Sequence, residues 1–277
     1  MENDLRNLLL KHGFSFKKKY GQNFLTDENL LKEIVEKAEI DKNTVVLEIG
    51  CGAGALTSVL CDCAKKVVGY EIDTSLKPVL CEVLKGKDNV EIVYKDVLKE
   101  NLKELENKLG ENYVLVANLP YYITTPIIMT FIEKAEKIKS LVVMVQEEVA
   151  DRLSAAAGEK DYGAITVAIN LRGSAKTILS VPRTKFTPAP NVDSAVVKID
   201  IDTSKNAGVD FAAVRETVKC AFLSRRKMLV NNLINYYKIS RTQAENLLNE
   251  CGIPLTARGE TLDESAFIAL SESIKRL

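Results

Sequence analysis

The spacing of apolar residues changes along this 277-residue chain, and the changes outline its elements. Short runs rich in β-branched residues recur at Thr44–Ile49, Val67–Asp73, Val90–Lys95, Tyr113–Ala117 and Ser140–Val145. Their length and composition predict strands. Between them the period lengthens to that of a helix. Over Asp27–Ala38 it places Leu30, Leu31, Ile34, Val35 and Ala38 on one face. This alternation predicts a mainly parallel sheet covered by helices, an α/β architecture. Residues 1–25 read as an N-terminal arm with a short amphipathic helix around Leu5–Lys11. Thr124-Thr125-Pro126 reads as a helix start, with a capping hydroxyl ahead of a proline in the first turn. Glu147–Ala156 and Gly163–Leu171 read as helices. Ala175–Val181 and Ala195–Ile201 read as two more strands, joined by a proline loop and suited to an antiparallel pair at one sheet edge.

Beyond Thr203 the pattern is helical throughout. Phe211–Leu223, Met228–Tyr236, Thr242–Glu250 and Asp263–Ser273 are the expected helices, with Ser204–Gly208 as the linker. The expected division is therefore a domain over residues 1–203 and a small all-α domain over 204–277.

Composition adds constraints. A hydrophobic fraction of 46% supports a full core. Lys and Arg total 38 against 38 Asp and Glu. Such a balance argues against a uniformly basic nucleic-acid binder, since Lys and Arg supply most affinity for a phosphate backbone. Basic residues are nevertheless clustered at Lys17-Lys18-Lys19, at Arg183 with Lys185, and at Arg225-Arg226-Lys227. The acids of Glu100–Glu111 alternate with lysines as on a solvated helix face. Six cysteines form no C-x-x-C pair and read as reduced thiols of a cytoplasmic protein. His12 is the only histidine, which argues against His-based zinc sites and a His general base. No apolar run has membrane-spanning length. The acidic start Met1-Glu2-Asn3-Asp4 is unlike a secretory signal, so no targeting segment is expected.

Four segments carry candidate chemistry, each at the C-terminal end of an expected strand, where open α/β sheets bind ligands. Asn118-Leu119-Pro120-Tyr121 ends the fourth. Asn118 Oδ1 and the carbonyl of Leu119 or Pro120 suit the two hydrogens of an exocyclic amine, and Tyr121 suits the face of the ring bearing it. Adenine N6 is such an amine. The first strand leads into Gly50-Cys51-Gly52-Ala53-Gly54-Ala55, whose glycines let backbone pass close to a ligand. This stretch also satisfies the dinucleotide pattern, so an NAD-dependent oxidoreductase stays open on these residues alone. Glu48 inside the strand and the tight glycine spacing favour S-adenosylmethionine. Glu71, at the end of the second strand, suits ribose hydroxyls. Asp96 and Val97, after the third, suit an adenine ring, or Asp96 caps the helical turn from Leu98.

With these residues in order, the chain resembles the ribosomal RNA adenine N6,N6-dimethyltransferases of the small subunit. The resemblance spans nearly the whole chain. It includes Gly21-Gln22-Asn23-Phe24-Leu25, Glu48 to Gly54, Glu71-Ile72-Asp73, Asp96-Val97 and Asn118 to Tyr121. It continues through Phe186-Thr187-Pro188-Ala189-Pro190-Asn191-Val192-Asp193-Ser194 and Phe222-Leu223-Ser224-Arg225-Arg226-Lys227. It implies a Rossmann-like class I methyltransferase fold with a helical RNA- or ribosome-binding C-terminal domain. The implied activity is S-adenosyl-L-methionine-dependent dimethylation of two adjacent adenosines near the 3′ end of 16S rRNA in the 30S subunit or its precursor. The expected enzyme is a cytoplasmic monomer. On this resemblance Gln22, Asn23, Leu25, Gly50, Gly52, Gly54, Glu71, Ile72, Asp96, Val97 and Asn118 hold the cofactor. Asn118, Pro120, Tyr121 and Phe186 form the catalytic set, with Tyr121 and Phe186 sandwiching the target base. Arg225, Arg226 and Lys227 are the RNA contacts, and no metal is required. A 23S rRNA methyltransferase of the antibiotic-resistance type is one alternative, which typically has Ile where Leu119 stands. A noncatalytic assembly factor of the same fold is another.

Overall fold

A computed structural model describes residues 2–14 and 23–277, in two compact units. The first comprises Met1–Ala150 and Lys176–Ile201, the second Asp151–Ala175 and Asp202–Leu277.

The first unit is built on a sheet of β2 (Val45–Ile49), β3 (Lys66–Tyr70), β4 (Val90–Val93), β5 (Tyr113–Asn118), β6 (Ile138–Gln146), β7 (Gly173–Val181) and β9 (Ser194–Ile201). Their spatial order is β4-β3-β2-β5-β6-β9-β7. The first five are parallel where they pair, and β9 runs antiparallel to β6. β7 and β9 lie together at one edge, as the alternation of residues 175–201 predicts. A second, two-stranded sheet pairs β1 (Phe24–Leu25) with β8 (Phe186–Thr187). Every residue of β2 is buried, as expected for a strand covered on both faces. The chain adds β3 and β4 on one side of β2 and β5 and β6 on the other. The order therefore reverses between β2 and β5, and the crevice beyond their C-terminal ends is the expected ligand site.

Helices α1 (Glu2–Lys11), α2 (Glu28–Lys37), α3 (Ala55–Cys63), α4 (Lys77–Val83), α5 (Leu102–Leu109) and α6 (Tyr121–Lys134) belong to this unit. α2 starts at Asp27, whose carboxylate accepts from the backbone N–H groups of Asn29 and Leu30. Two sequence expectations change here. α6 begins at Tyr121, not at Thr125, so Pro126 lies inside the helix. Thr124 donates its hydroxyl to the Pro120 carbonyl at 3.3 Å, as a first-turn residue and not a cap. The acids of Glu100–Glu111 are not uniformly solvated either. Glu106 is buried and accepts from the Tyr113 hydroxyl and the backbone N–H groups of Glu136 and Lys137. It ties the start of β5 to the turn before β6.

The second unit contains α8 (Ala164–Arg172), α9 (Phe211–Ala221), α10 (Leu229–Tyr237), α11 (Arg241–Glu250) and α12 (Glu264–Ile274), with α7 (Glu147–Ser154) crossing the boundary. Residues 151–175, placed in the larger domain by the sequence reading, thus belong with the helical unit. Tyr162, Val167 and Leu171 share one core with Val214, Leu233, Leu248 and Phe267. The Tyr162 hydroxyl donates to the Leu262 carbonyl at 2.9 Å. The expected linker is also anchored: Asn206 donates to the Leu171 carbonyl and Lys205 to that of Gly173. Asp210, Ser240 and Asp263 cap α9, α11 and α12 with their side chains.

Gly69, mid-strand in β3, makes room for the glycine turn. A Cβ there would lie 2.4 Å from Cys51 Sγ and 2.8 Å from Ile92 Cδ1. Gly69→Ala should therefore destabilise the protein by about 1–3 kcal/mol, the usual cost of overpacking. Cys51→Ala in the same chain should return part of that loss, as measured by denaturant unfolding.

Candidate active site

The strand register assembles the site. Ile49 lies opposite Tyr70 on one side and Ala117 on the other. The next residues along these three strands, Gly50, Glu71 and Asn118, leave the sheet side by side. They border a cavity of about 370 Å³, within the size range of small-molecule sites. Asn23, Leu25, Gly52, Ile72, Asp96, Val97, Pro120, Tyr121 and Phe186 also line it. These residues, scattered between positions 23 and 186, are thus brought to one place. Gln22 lies outside the described residues.

The glycines divide the work. Gly50 has φ +81°, and a Cβ there would lie 2.6 Å from Leu119 Cδ2. The glycine turn and the Asn-Leu-Pro-Tyr segment therefore fit together only when residue 50 has no side chain. A Cβ at Gly52 (φ +56°) would meet the Phe24 ring at 3.0 Å. Gly54, between the lining residues Ala53 and Ala55, does not itself line the cavity and precedes α3 with φ +85°. Leu80 and Val83 of α4 pack against it, so its role is close helix packing.

Glu71 is buried and accepts from Gly52 N–H at 2.8 Å and Asp73 N–H at 2.7 Å. Each carboxylate oxygen keeps a second lone pair. Burial raises its pKa above the ordinary carboxylate value, while these backbone N–H groups hold it down. Asp96 caps its own turn through Leu98 N–H at 3.1 Å and borders the cavity as well. Glu48 also faces the cavity, although it was read only as part of the glycine motif. It is 1% exposed, and its Oε2 and the Thr57 hydroxyl have no hydrogen-bond partner. Burial pushes its carboxyl up to about 7, and the Glu71 charge adds to this.

At the other wall, Pro120 precedes the first residue of α6, and its carbonyl accepts from Ile123 N–H at 3.1 Å and Thr124 Oγ1 at 3.3 Å. That carbonyl is drawn into the helix, so the expectation that it receives an amine shifts to the Leu119 carbonyl. The Tyr121 hydroxyl lies 2.8 Å from Ser194 Oγ, and Ser194 is 1% exposed. This bond joins Asn118–Tyr121 to the Phe186–Ser194 loop. Phe186 lines the cavity but is only 5% exposed and packs in the core beside Leu25. The expected free stacking face is therefore mostly covered by protein.

The set fits S-adenosylmethionine. Glu71 has spare acceptors at a strand end, two positive-φ glycines bring backbone to the cavity wall, and Val97 and Ile72 supply apolar contacts. A model of the family described as ribosomal RNA adenine dimethylase matches residues 13–270. The chain belongs to this family. It is 45% identical to ribosomal RNA small subunit methyltransferase A of Geobacillus thermodenitrificans, over 98% of this chain and 95% of that protein. The Streptococcus gordonii protein of the same name is 46% identical, over 98% and 96%. Among solved structures, a dimethyladenosine transferase from Plasmodium falciparum superposes with TM-score 0.78 at 26% identity, over 91% of this chain and 98% of that one. A 23S rRNA methyltransferase superposes with TM-score 0.70 at 28% identity, over 91% and 100%. The fold is that of the class I S-adenosylmethionine-dependent methyltransferases, and the protein is an rRNA adenine dimethyltransferase with S-adenosylmethionine as cofactor.

Two expectations follow. Tyr121→Phe and Ser194→Ala should each lower turnover, and the double variant should lose little more than either one. A double-mutant cycle on turnover should give a coupling of about 0.5–1.5 kcal/mol, the worth of one such bond. The second concerns pH. The folded protein binds the Glu48 proton more tightly than the unfolded chain does. The stability this provides is present below pH about 4.5 and is lost as pH rises to about 7. Ionised Glu48 then costs on the order of 3 kcal/mol. Melting curves without cofactor should show Glu48→Gln stabilising the protein at pH 8 and much less at pH 5.

Proposed function

We propose that this protein dimethylates N6 of two adjacent adenosines near the 3′ end of 16S rRNA. The substrate is the 30S subunit or its precursor in the cytoplasm, and the enzyme acts as a monomer during ribosome biogenesis. The observation that carries this reading is near-full-length identity of 45% to a small-subunit methyltransferase. Leu119, in place of the isoleucine typical of resistance-type enzymes, supports it. The fold alone does not choose the substrate, since a 23S rRNA methyltransferase shares it.

Bound in the cavity, S-adenosylmethionine supplies a methyl group already activated by a positively charged sulfur. The protein's part is positioning and electrostatics. Glu71 would accept from ribose hydroxyls through the lone pairs that Gly52 and Asp73 leave unused. Asp96 and Val97 would hold the cofactor's adenine, with Gly50, Gly52, Asn23 and Leu25 holding the rest of it. The target adenine must leave its stack to reach this site. Asn118 Oδ1 and the Leu119 carbonyl accept its two amine hydrogens. This draws N6 away from planarity and frees its lone pair. Tyr121, held by Ser194, lies on one face of the base, and Phe186 forms the opposite wall once the base has entered.

The RNA-binding assignment divides among the three basic residues of the turn after α9. Arg225 donates to the carbonyls of Lys160 (2.7 Å) and Tyr162 (3.1 Å) and pairs with Glu260. It holds the helical unit together. Arg226 and Lys227 are exposed in the same turn and are the phosphate contacts. In the first unit, Arg183, exposed and braced on the Asn191 carbonyl, is a further candidate phosphate contact.

Tritium transfer to undermethylated 30S particles, 50S particles and naked rRNA tests this reading. Labelling of two neighbouring adenosines on 30S is expected, and labelling of 50S or of a single adenosine overturns it. Asn118→Ala should cut transfer by on the order of 10²-fold or more, with a smaller effect on cofactor affinity. Replacing Arg226 and Lys227 should weaken particle binding and its salt dependence without changing the melting temperature. Arg225→Ala should lower that temperature.

A further inference from the structure

The first turn of α6 carries two aromatic side chains in succession, and the site so far uses only Tyr121. Tyr122 also lines the cavity, yet it is 67% exposed. That is the largest exposure among the large apolar side chains left at the surface of the described residues. Removing such a ring from water against a ligand would be favourable, and at this position the ligand is at the entrance to the active site.

Helix geometry separates the two rings. Successive helical residues are turned by about 100° and their Cα atoms lie about 3.8 Å apart. With the Tyr121 hydroxyl fixed on Ser194, the Tyr122 ring faces another way. One base cannot lie on both rings, whereas two successive bases of one strand can. The turn is also held in place. Pro120 constrains the backbone ahead of it, and the Pro120 carbonyl accepts from both Ile123 and Thr124. The Tyr122 ring is therefore presented from a fixed turn as an exposed aromatic surface, the kind on which single-stranded bases stack. Moving an adenosine into the cavity strips its neighbour of a stacking partner, and that neighbour then needs a new one.

We propose that Tyr122 is the stacking platform for the nucleobase next to the adenosine being methylated. It is a positioning residue for RNA and takes no part in the transfer itself. The proposal rests on the RNA-methylating function above. If two adjacent adenosines are the targets, the base on Tyr122 can itself be the second target, held outside the cavity while the first is modified.

The test uses full-length protein with Tyr122→Ala, Tyr122→Leu and Tyr122→Phe. It is run on whichever ribosomal particle the wild-type protein labels, so that an error in the substrate does not decide this question. Ala and Leu should raise KM for the particle on the order of 10-fold or more. Melting temperature and S-adenosylmethionine affinity should stay at wild-type values, and Phe should restore the wild-type KM. A short RNA with 2-aminopurine beside the target adenosine gives the second readout. Its fluorescence should fall on saturation with wild type or Tyr122→Phe and stay higher with Tyr122→Ala. The proposal is overturned if Tyr122→Ala keeps the wild-type KM or if Phe fails to restore it. It is equally overturned if quenching is the same with Ala, which would assign the ring to a ribosomal protein contact.

Discussion

Everything at the active site depends on the pairing of β2 with β3 and β5. Parallel pairing sets Ile49 level with both Tyr70 and Ala117, and the three strands then end together. Gly50, Glu71 and Asn118 emerge as a row because of that alignment. A one-residue slip in any of the three strands would turn its side chains to the other face. The row also needs close approach, which Gly50 permits by letting Leu119 lie where a Cβ would be. The glycine turn and the Asn-Leu-Pro-Tyr segment are thus a single packed unit.

The buried carboxylates separate along the same strands. Glu106 sits at the N-terminal edge of the sheet, satisfied by a hydroxyl and two backbone N–H groups, and its work is structural. Glu71 and Glu48 sit at the C-terminal edge. Glu71 is partly satisfied, with acceptor capacity left over. Glu48 has an unpartnered oxygen in a fully buried place. A buried acid with an unmet acceptor lowers stability when ionised, and it persists here beside a ligand cavity. That is the usual location for such a cost.

The Tyr121–Ser194 bond explains why two distant motifs occur in one chain. Asn-Leu-Pro-Tyr supplies the ring, and the proline loop ends in the buried hydroxyl that orients it. The helical unit follows a similar economy. Arg225, though itself exposed, is committed to carbonyls inside the unit, whereas Arg226 and Lys227 are exposed in the same turn. A basic triplet in sequence thereby becomes one internal clamp and two surface cations.

Strand and helix periods alone gave the α/β order, the helical tail and the antiparallel strands at the sheet edge. These features are local, since period and β-branching reflect how many faces of an element are covered. The residues around the cavity were legible for a related reason: glycines, Asn118 and Glu71 stand directly after apolar runs, and parallel sheets put their ligands there. Other features were decided by contacts distant in sequence. Residues 151–175 joined the helical unit because an apolar helix face does not specify its partner. Gly54 went to the packing of α4, the Pro120 carbonyl to a helix starting four residues earlier than its hydroxyl signals suggested, and Phe186 into the core. Glu106 resembled a solvated charge, and Arg225 an RNA contact, until the fold brought backbone groups to them. In each case the chain determined which groups were available, and only three-dimensional packing decided which of them would be satisfied from within and which would remain for a ligand.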